Sequence, residues 1–174
     1  MQPRSPRRTK RRLVAHALVP FALGLACNPV LEDQIAALGP EATDVSTGPL
    51  HRPGQPCTLC HDGAVGDPPA FSAAGTVYEN ASSTSPLANA TVTFTGADGE
   101  THPTTTNAVG NFYVTPAEFV PKYPMRVSVT SNGTTVTMQS HVGWASSCAT
   151  CHADPAGPTS PGHVYFVVPN GKTP

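Results

Sequence analysis

Proline and glycine punctuate this chain so closely that a long helix has no room to form. There are 20 prolines and 15 glycines among 174 residues, about a fifth of the chain. Proline removes a backbone donor and locks φ, and glycine weakens any helix or strand interior, so ordered structure must fit between the breaks. What lies between them alternates with period two. From Gly75 to Gln139 the runs are Gly75–Glu79, Asn89–Thr95, Glu100–Asn107, Asn111–Thr115, Met125–Ser131 and Thr134–Gln139. Val92 and Phe94 share one side of their run, as do Phe112 and Val114, and Met125, Val127 and Val129. Val136 and Met138 point inward from the last run, which follows Asn132-Gly133, a strong type I′ hairpin signal. Six short strands and little helix predict a mainly β fold, a small antiparallel sandwich. An even number of up-and-down strands would return the chain to the pole it left and bring the flanking segments to one end.

The basic residues sit at the N-terminus. Six of the ten Lys and Arg fall in the first twelve positions, and beyond them four bases face all eleven acids. The remainder therefore carries a net charge of −7, which argues against a phosphate-neutralising patch and so against a nucleic-acid partner. Met1–Arg12 is a basic leader, and Leu13–Ala26 is an apolar run too short to span a bilayer comfortably. The pair reads as a signal peptide over residues 1–26. Gly24-Leu25-Ala26-Cys27 resembles the lipobox of bacterial lipoproteins, with Gly24 where leucine is usual, which implies lipidation at Cys27. Residues 27–56 then read as a lipid-anchored tether. It holds one short helix over Val30–Leu38, capped by Asn28, with Pro29 in its first turn and Gly39-Pro40 to stop it.

The other four cysteines fall in two identical patterns, Cys57-Thr58-Leu59-Cys60-His61 and Cys148-Ala149-Thr150-Cys151-His152. Cys-x-x-Cys-His is the attachment signature of c-type haem. Two thiols three residues apart reach the two vinyl groups on one haem edge, and the next histidine falls under the iron as proximal ligand. Three other readings compete. Four thiolates could hold a structural zinc, but the 88-residue step from Cys60 to Cys148 is far beyond the usual spacing. Disulfides would leave both histidines idle. A thioredoxin-like centre needs its cysteines to open a helix after a buried strand, which Pro56 and Ser146-Ser147 do not suggest.

Two covalent haems need distal ligands. His16 leaves with the signal, His61 and His152 are proximal, and His51, His141 and His163 are the candidate distal ligands. His51 and His141 each precede a motif at similar spacing. A histidine so close in sequence is better placed to cap the neighbouring haem than its own. His102, in a Thr-rich stretch, reads as a surface residue, and Met125 and Met138 as core. Bis-histidine ligation implies a low potential, which a methionine ligand would raise. Phe71, Trp144 and Tyr165 are candidate haem-packing aromatics, with ordinary core positions as the competing reading.

The stretch between the motifs resembles a known domain. Gly75-Thr76-Val77-Tyr78, Pro86-Leu87-Ala88-Asn89-Ala90-Thr91-Val92 and Thr105-Thr106-Asn107-Ala108-Val109-Gly110-Asn111-Phe112 look like the carboxypeptidase regulatory-like (transthyretin-like) family. The resemblance runs from Ala74 to about Val129, with the usual final strand altered. It implies a prealbumin-like sandwich serving as an accessory module without a catalytic centre. The expected layout is a first haem-binding segment over 57–73, the sandwich over 74–140 and a second haem-binding segment over 141–174. The fold class is thus mainly β, a sandwich flanked by two loop-rich c-type haem attachment segments.

These features predict an exported c-type cytochrome of the bacterial cell envelope (periplasm or outer membrane). It would be lipid-anchored, carrying single electrons on two haem c groups to other exported redox proteins or cytochromes. No nucleophile–base pair is recognisable, so it is not expected to be an enzyme. The alternative from another class is a non-catalytic cell-envelope binding or structural module with disulfide or zinc-bound cysteines. A further alternative leaves one iron five-coordinate, as in a peroxidase or gas sensor.

Overall fold

The computed structural model describes residues 29–41, 45, 48–64 and 68–166. The expected signal peptide, Cys27 and the end of the chain lie outside them. Helix α1 spans Pro29–Ala37, within one residue of the expected span at either end. It stops where the chain turns at Gly39, whose φ of +72° suits glycine. Leu31, Ile35 and Leu38 share its half-buried face. Among the described residues no helix is long and apolar enough to cross a membrane.

Six strands follow: β1 Ala73–Thr76, β2 Thr91–Thr95, β3 Thr101–Thr105, β4 Asn111–Val114, β5 Arg126–Ser131 and β6 Thr134–Thr137. β2 to β6 fall where alternation predicts them, with trimmed ends, and β1 overlaps its expected run at Gly75 and Thr76. β1 starts earlier and stops sooner than expected because its continuation divides its hydrogen bonds. Val77 bonds with Gly110 and Leu87, whereas the N–H and C=O of Tyr78 bond with Val164 and Phe166. Asn132 and Gly133 both have positive φ (+48° and +74°), which is the predicted type I′ conformation.

The strands form two antiparallel sheets, β1-β4 and β3-β2-β5-β6. The path is not up-and-down. The chain crosses between sheets after β1, β3 and β4, and β5 returns to pair with β2, a Greek-key order. Pro103, in the middle of β3, gives the physical reason. A proline cannot donate to a second neighbour, so β3 must be an edge and the other side of β2 is left for β5.

Val92 and Phe94 of β2 and Phe112 and Val114 of β4 face each other and are buried, as expected. Phe119 joins them, its ring 6.2 Å from that of Phe94. Val127, Val129, Val136 and Met138 are only half buried. The reason is width. A two-stranded sheet covers the β2 half of a four-stranded one and leaves the β5–β6 half facing a cavity.

Candidate functional site

Cys57–Leu59 and Cys148–Thr150 each form one turn of 3-10 helix. Their hydrogen bonds repeat. Cys60 N and His61 N donate to Cys57 O at 3.3 and 3.0 Å, and Cys151 N and His152 N donate to Cys148 O at 3.2 and 2.8 Å. Such a turn carries the second cysteine and the histidine round together, so two sulfurs and one imidazole leave a single turn of backbone.

The histidines also repeat. His61 Nδ1 lies 3.0 Å from Pro69 O, and His152 Nδ1 lies 3.0 Å from Gly162 O. A carbonyl only accepts, so Nδ1 carries a proton in each ring, and whenever the ring is neutral Nε2 holds the lone pair. This is how a metal-ligating imidazole is usually oriented from behind.

The two turns flank one strand. Ala74 N of β1 donates to Ser146 O at 2.9 Å, and Ser147 bridges Ala74 in parallel, so the approach to Cys148 runs alongside β1. The turn at Cys57 packs on the same strand. Ser146 Oγ donates to Thr58 Oγ1 at 3.1 Å and ties the turns together. The motifs therefore meet, but by docking on β1 rather than through strand parity. Gly75 permits the approach: a Cβ there would lie 2.8 Å from Cys148 Sγ and 2.9 Å from Phe112 Cζ.

Burial pushes the Cys57 thiol up to about 11 and the Cys148 thiol up to about 12, so both stay neutral in the protein at ordinary pH. Cys57, Cys148 and Cys151 form no disulfide. Among the described residues, no group of three or more His, Cys, Asp or Glu is placed to hold a metal ion.

Each turn opens on a cavity. The first, of about 530 Å³, is lined by Cys57, Cys60, His61, His51, Phe71 and Asn111, with Ile35 of α1 and Leu38 just after it closing one side. The segment expected to be a tether is thus part of a wall. Arg52 holds it there, donating to Gly39 O at 2.9 Å and to Gln55 Oε1 at 2.9 Å, with Glu41 3.5 Å away. The second cavity, of about 990 Å³, lies between the turn at Cys148 and the uncovered face of β5 and β6. Val127, Val129, Val136 and Met138 line it with Cys151 and His152. Ser147 Oγ is buried there and has no hydrogen-bond partner among the described residues.

The other candidates divide. His51 stands beside its own motif, its ring 5.8 Å from that of His61, instead of reaching towards the neighbouring one. His141 is exposed on the edge of the second cavity, with Nε2 3.3 Å from Arg126 Nη2. His163 is buried with both nitrogens engaged, Nδ1 2.7 Å from Asp154 Oδ2 and Nε2 3.0 Å from Asn80 O. Burial works against its charge, but the Asn80 carbonyl and the Asp154 carboxylate outweigh it and raise its pKa. His102, expected at the surface, is half buried against Phe119, ring centres 5.6 Å apart.

Of the aromatics, Phe71 lies between His61 (4.4 Å) and Tyr113 (4.6 Å). Trp144 is 74% exposed at the rim of the second cavity, and Tyr165 sits edge-on to His163 at 6.1 Å. Sequence reasoning missed Thr76 and Asn111, buried polar partners on the face of β1 and β4 opposite Phe112 and Val114. Alternation alone gives no signal for them, because it places Asn111 on the outward side with Tyr113.

No protein-family model matches the chain, and no curated protein or solved structure shows significant similarity to it.

Proposed function

We propose that the protein is a dihaem c-type cytochrome that carries single electrons. Cys57 and Cys60 would hold one haem by thioether bonds and Cys148 and Cys151 the other, with His61 and His152 as proximal ligands. The observation that carries the reading is the repeated histidine geometry. At the end of each Cys-x-x-Cys turn, a backbone carbonyl accepts from Nδ1 and orients the imidazole in the way that metal-ligating histidines usually are.

The surroundings fit such a group. Each turn faces a cavity with largely apolar walls, the kind of lining that lowers the local dielectric around a cofactor. A bound haem would supply reversible one-electron chemistry. The chain's own share is to fix the imidazoles, exclude water and hold the two turns together through Thr58 and Ser146. The sandwich then serves as scaffold, in keeping with the regulatory-like domain it resembles. The leader and Cys27 add export and a lipid anchor at the cell envelope, and other exported redox proteins are the natural partners.

Haem staining of a denaturing gel, intact mass and an absorption spectrum, after expression with c-type maturation machinery, test the proposal. Two haems that survive denaturation are expected. Cys57→Ala/Cys60→Ala should remove one and Cys148→Ala/Cys151→Ala the other. A colourless protein would sink the proposal and leave a β-sandwich whose cysteines should next be tested for zinc and disulfides.

A further inference from the structure

We infer that His51 is the sixth ligand at the first haem and that Asn111 is its positioning residue, so that the β1–β4 sheet sets the coordination there. The inference rests on the haem reading above and deepens it. Metal–imidazole bonds of roughly 2 Å, plus the half-width of each ring, put two imidazoles on opposite sides of one metal about 6 Å apart between centres. The His51 and His61 rings are 5.8 Å apart with their planes at 55°, and both line the same cavity. His51 Nδ1 donates to the Gly48 carbonyl, as His61 Nδ1 donates to Pro69 O. In both rings the neutral form is thereby the one with its lone pair on Nε2, the tautomer that a metal between them requires.

The loop bearing His51 is held from the β1–β4 sheet. Asn111 Nδ2 donates to the carbonyl of His51 itself at 3.0 Å and to Pro49 O at 3.3 Å. Asn107 Nδ2 reaches Pro49 O at 2.6 Å. On its other side, Asn111 Oδ1 accepts from Thr76 Oγ1 at 2.7 Å, and Thr76 Oγ1 accepts from Gly54 N at 2.7 Å. Asn111 and Thr76 are partners across the β1–β4 ladder, so a rigid sheet grips the loop at Pro49, His51 and Gly54. Arg52, next to His51, has φ of +49°, a left-handed conformation costly for a side chain of that size. Such strain persists where the surroundings over-determine it, and the Asn111–Thr76 network is what does so here.

The test uses the whole matured chain. Electron paramagnetic resonance of the ferric form counts low-spin and high-spin irons, and carbon monoxide uptake by the reduced form counts irons with a replaceable ligand. His51→Ala should turn one iron per chain high-spin and add one carbon monoxide site, and added imidazole should restore the low-spin signal. Asn111→Asp keeps the acceptor for Thr76 and removes both donors to the loop, so it should shift the same iron in the same direction. If that variant does not fold, Thr76→Val tests the same network, and Thr76→Ser, which keeps the hydroxyl, should retain the low-spin iron. An unchanged low-spin count in His51→Ala overturns the ligand. A change in His51→Ala with none in Asn111→Asp or Thr76→Val overturns the positioning role. Haem missing from Cys57 and Cys60 in the unaltered chain, read by intact mass, would instead be the failure of the haem reading.

Discussion

The two Cys-x-x-Cys-His turns are nearly superimposable in their hydrogen bonds, yet their surroundings are opposite. The first is enclosed by chain, with α1 on one side and the Gly48–Gln55 loop on the other, both fastened by Arg52, Asn107 and Asn111. The second stands against a sheet face that no other sheet or helix covers among the described residues, with Trp144 exposed at its rim. At the first site the His51 ring stands 5.8 Å from that of His61. At the second, His163 is tied to Asp154 and Asn80. A local motif can thus be copied while the polarity, access and ligands around it are set separately by packing.

The strongest test of this contrast compares the covered and uncovered halves of the four-stranded sheet. Phe94→Ala, in the covered half, should cost about 3–5 kcal/mol in chemical denaturation. Val136→Ala, on the cavity face, should cost no more than about 1–1.5 kcal/mol, because its side chain is already half exposed. Equal losses would mean that the second cavity is packed like core.

Gly75→Ala should come next, at about 1–3 kcal/mol from overpacking. Its new methyl meets Cys148 and Phe112, so in the haem-loaded chain proposed above the spectral change would come from the group on Cys148 and Cys151, with that on Cys57 and Cys60 as it was. A change confined to the latter would break the contrast.

Arg52→Ala removes the bonds that hold the end of α1 and should cost about 1–2 kcal/mol, felt locally. Hydrogen exchange should rise in residues 29–37 and leave β2 and β5 protected. Uniform exchange would show that α1 is not a separate wall.

The smallest effect is a pH dependence at the second site. His163 has a raised pKa in the folded chain. Its contribution is therefore complete below the unfolded value of about 6.5, and is lost as pH rises through the raised value. Asp154, with Tyr78 and Tyr165 against the ring, completes the setting. Melting temperature should fall slightly above pH 6.5, by an effect within about 1 kcal/mol. Asp154→Asn should flatten that slope, and a slope that survives the change would assign it elsewhere.

Much of the fold was legible because it is local. Alternation placed six strands, Asn132-Gly133 placed a hairpin, and Pro29 and Gly39 bounded a helix. Pro103 carried the strand order as well, since it made β3 an edge, but an edge is defined only once its neighbour is known. The uncovered sheet face was not legible, because Val127, Val129 and Val136 alternate like any buried row and period says nothing of what lies opposite. Nor was the place of His51, since backbone spacing does not say which way a loop folds back.

What the sequence alone determined is what neighbouring residues decide between themselves: two Cys-x-x-Cys-His turns, six short strands and the breaks that separate them. Tertiary structure decided that both turns dock on β1, that His51 stands by His61 while His163 is held by Asp154, and that Asn111 grips the loop between them. The physical reason is that each of these contacts joins groups far apart in the chain. Closing such loops costs an entropy that varies only slowly with length, so spacing chooses little among partners, and burial and hydrogen-bond satisfaction in the packed whole make the choice.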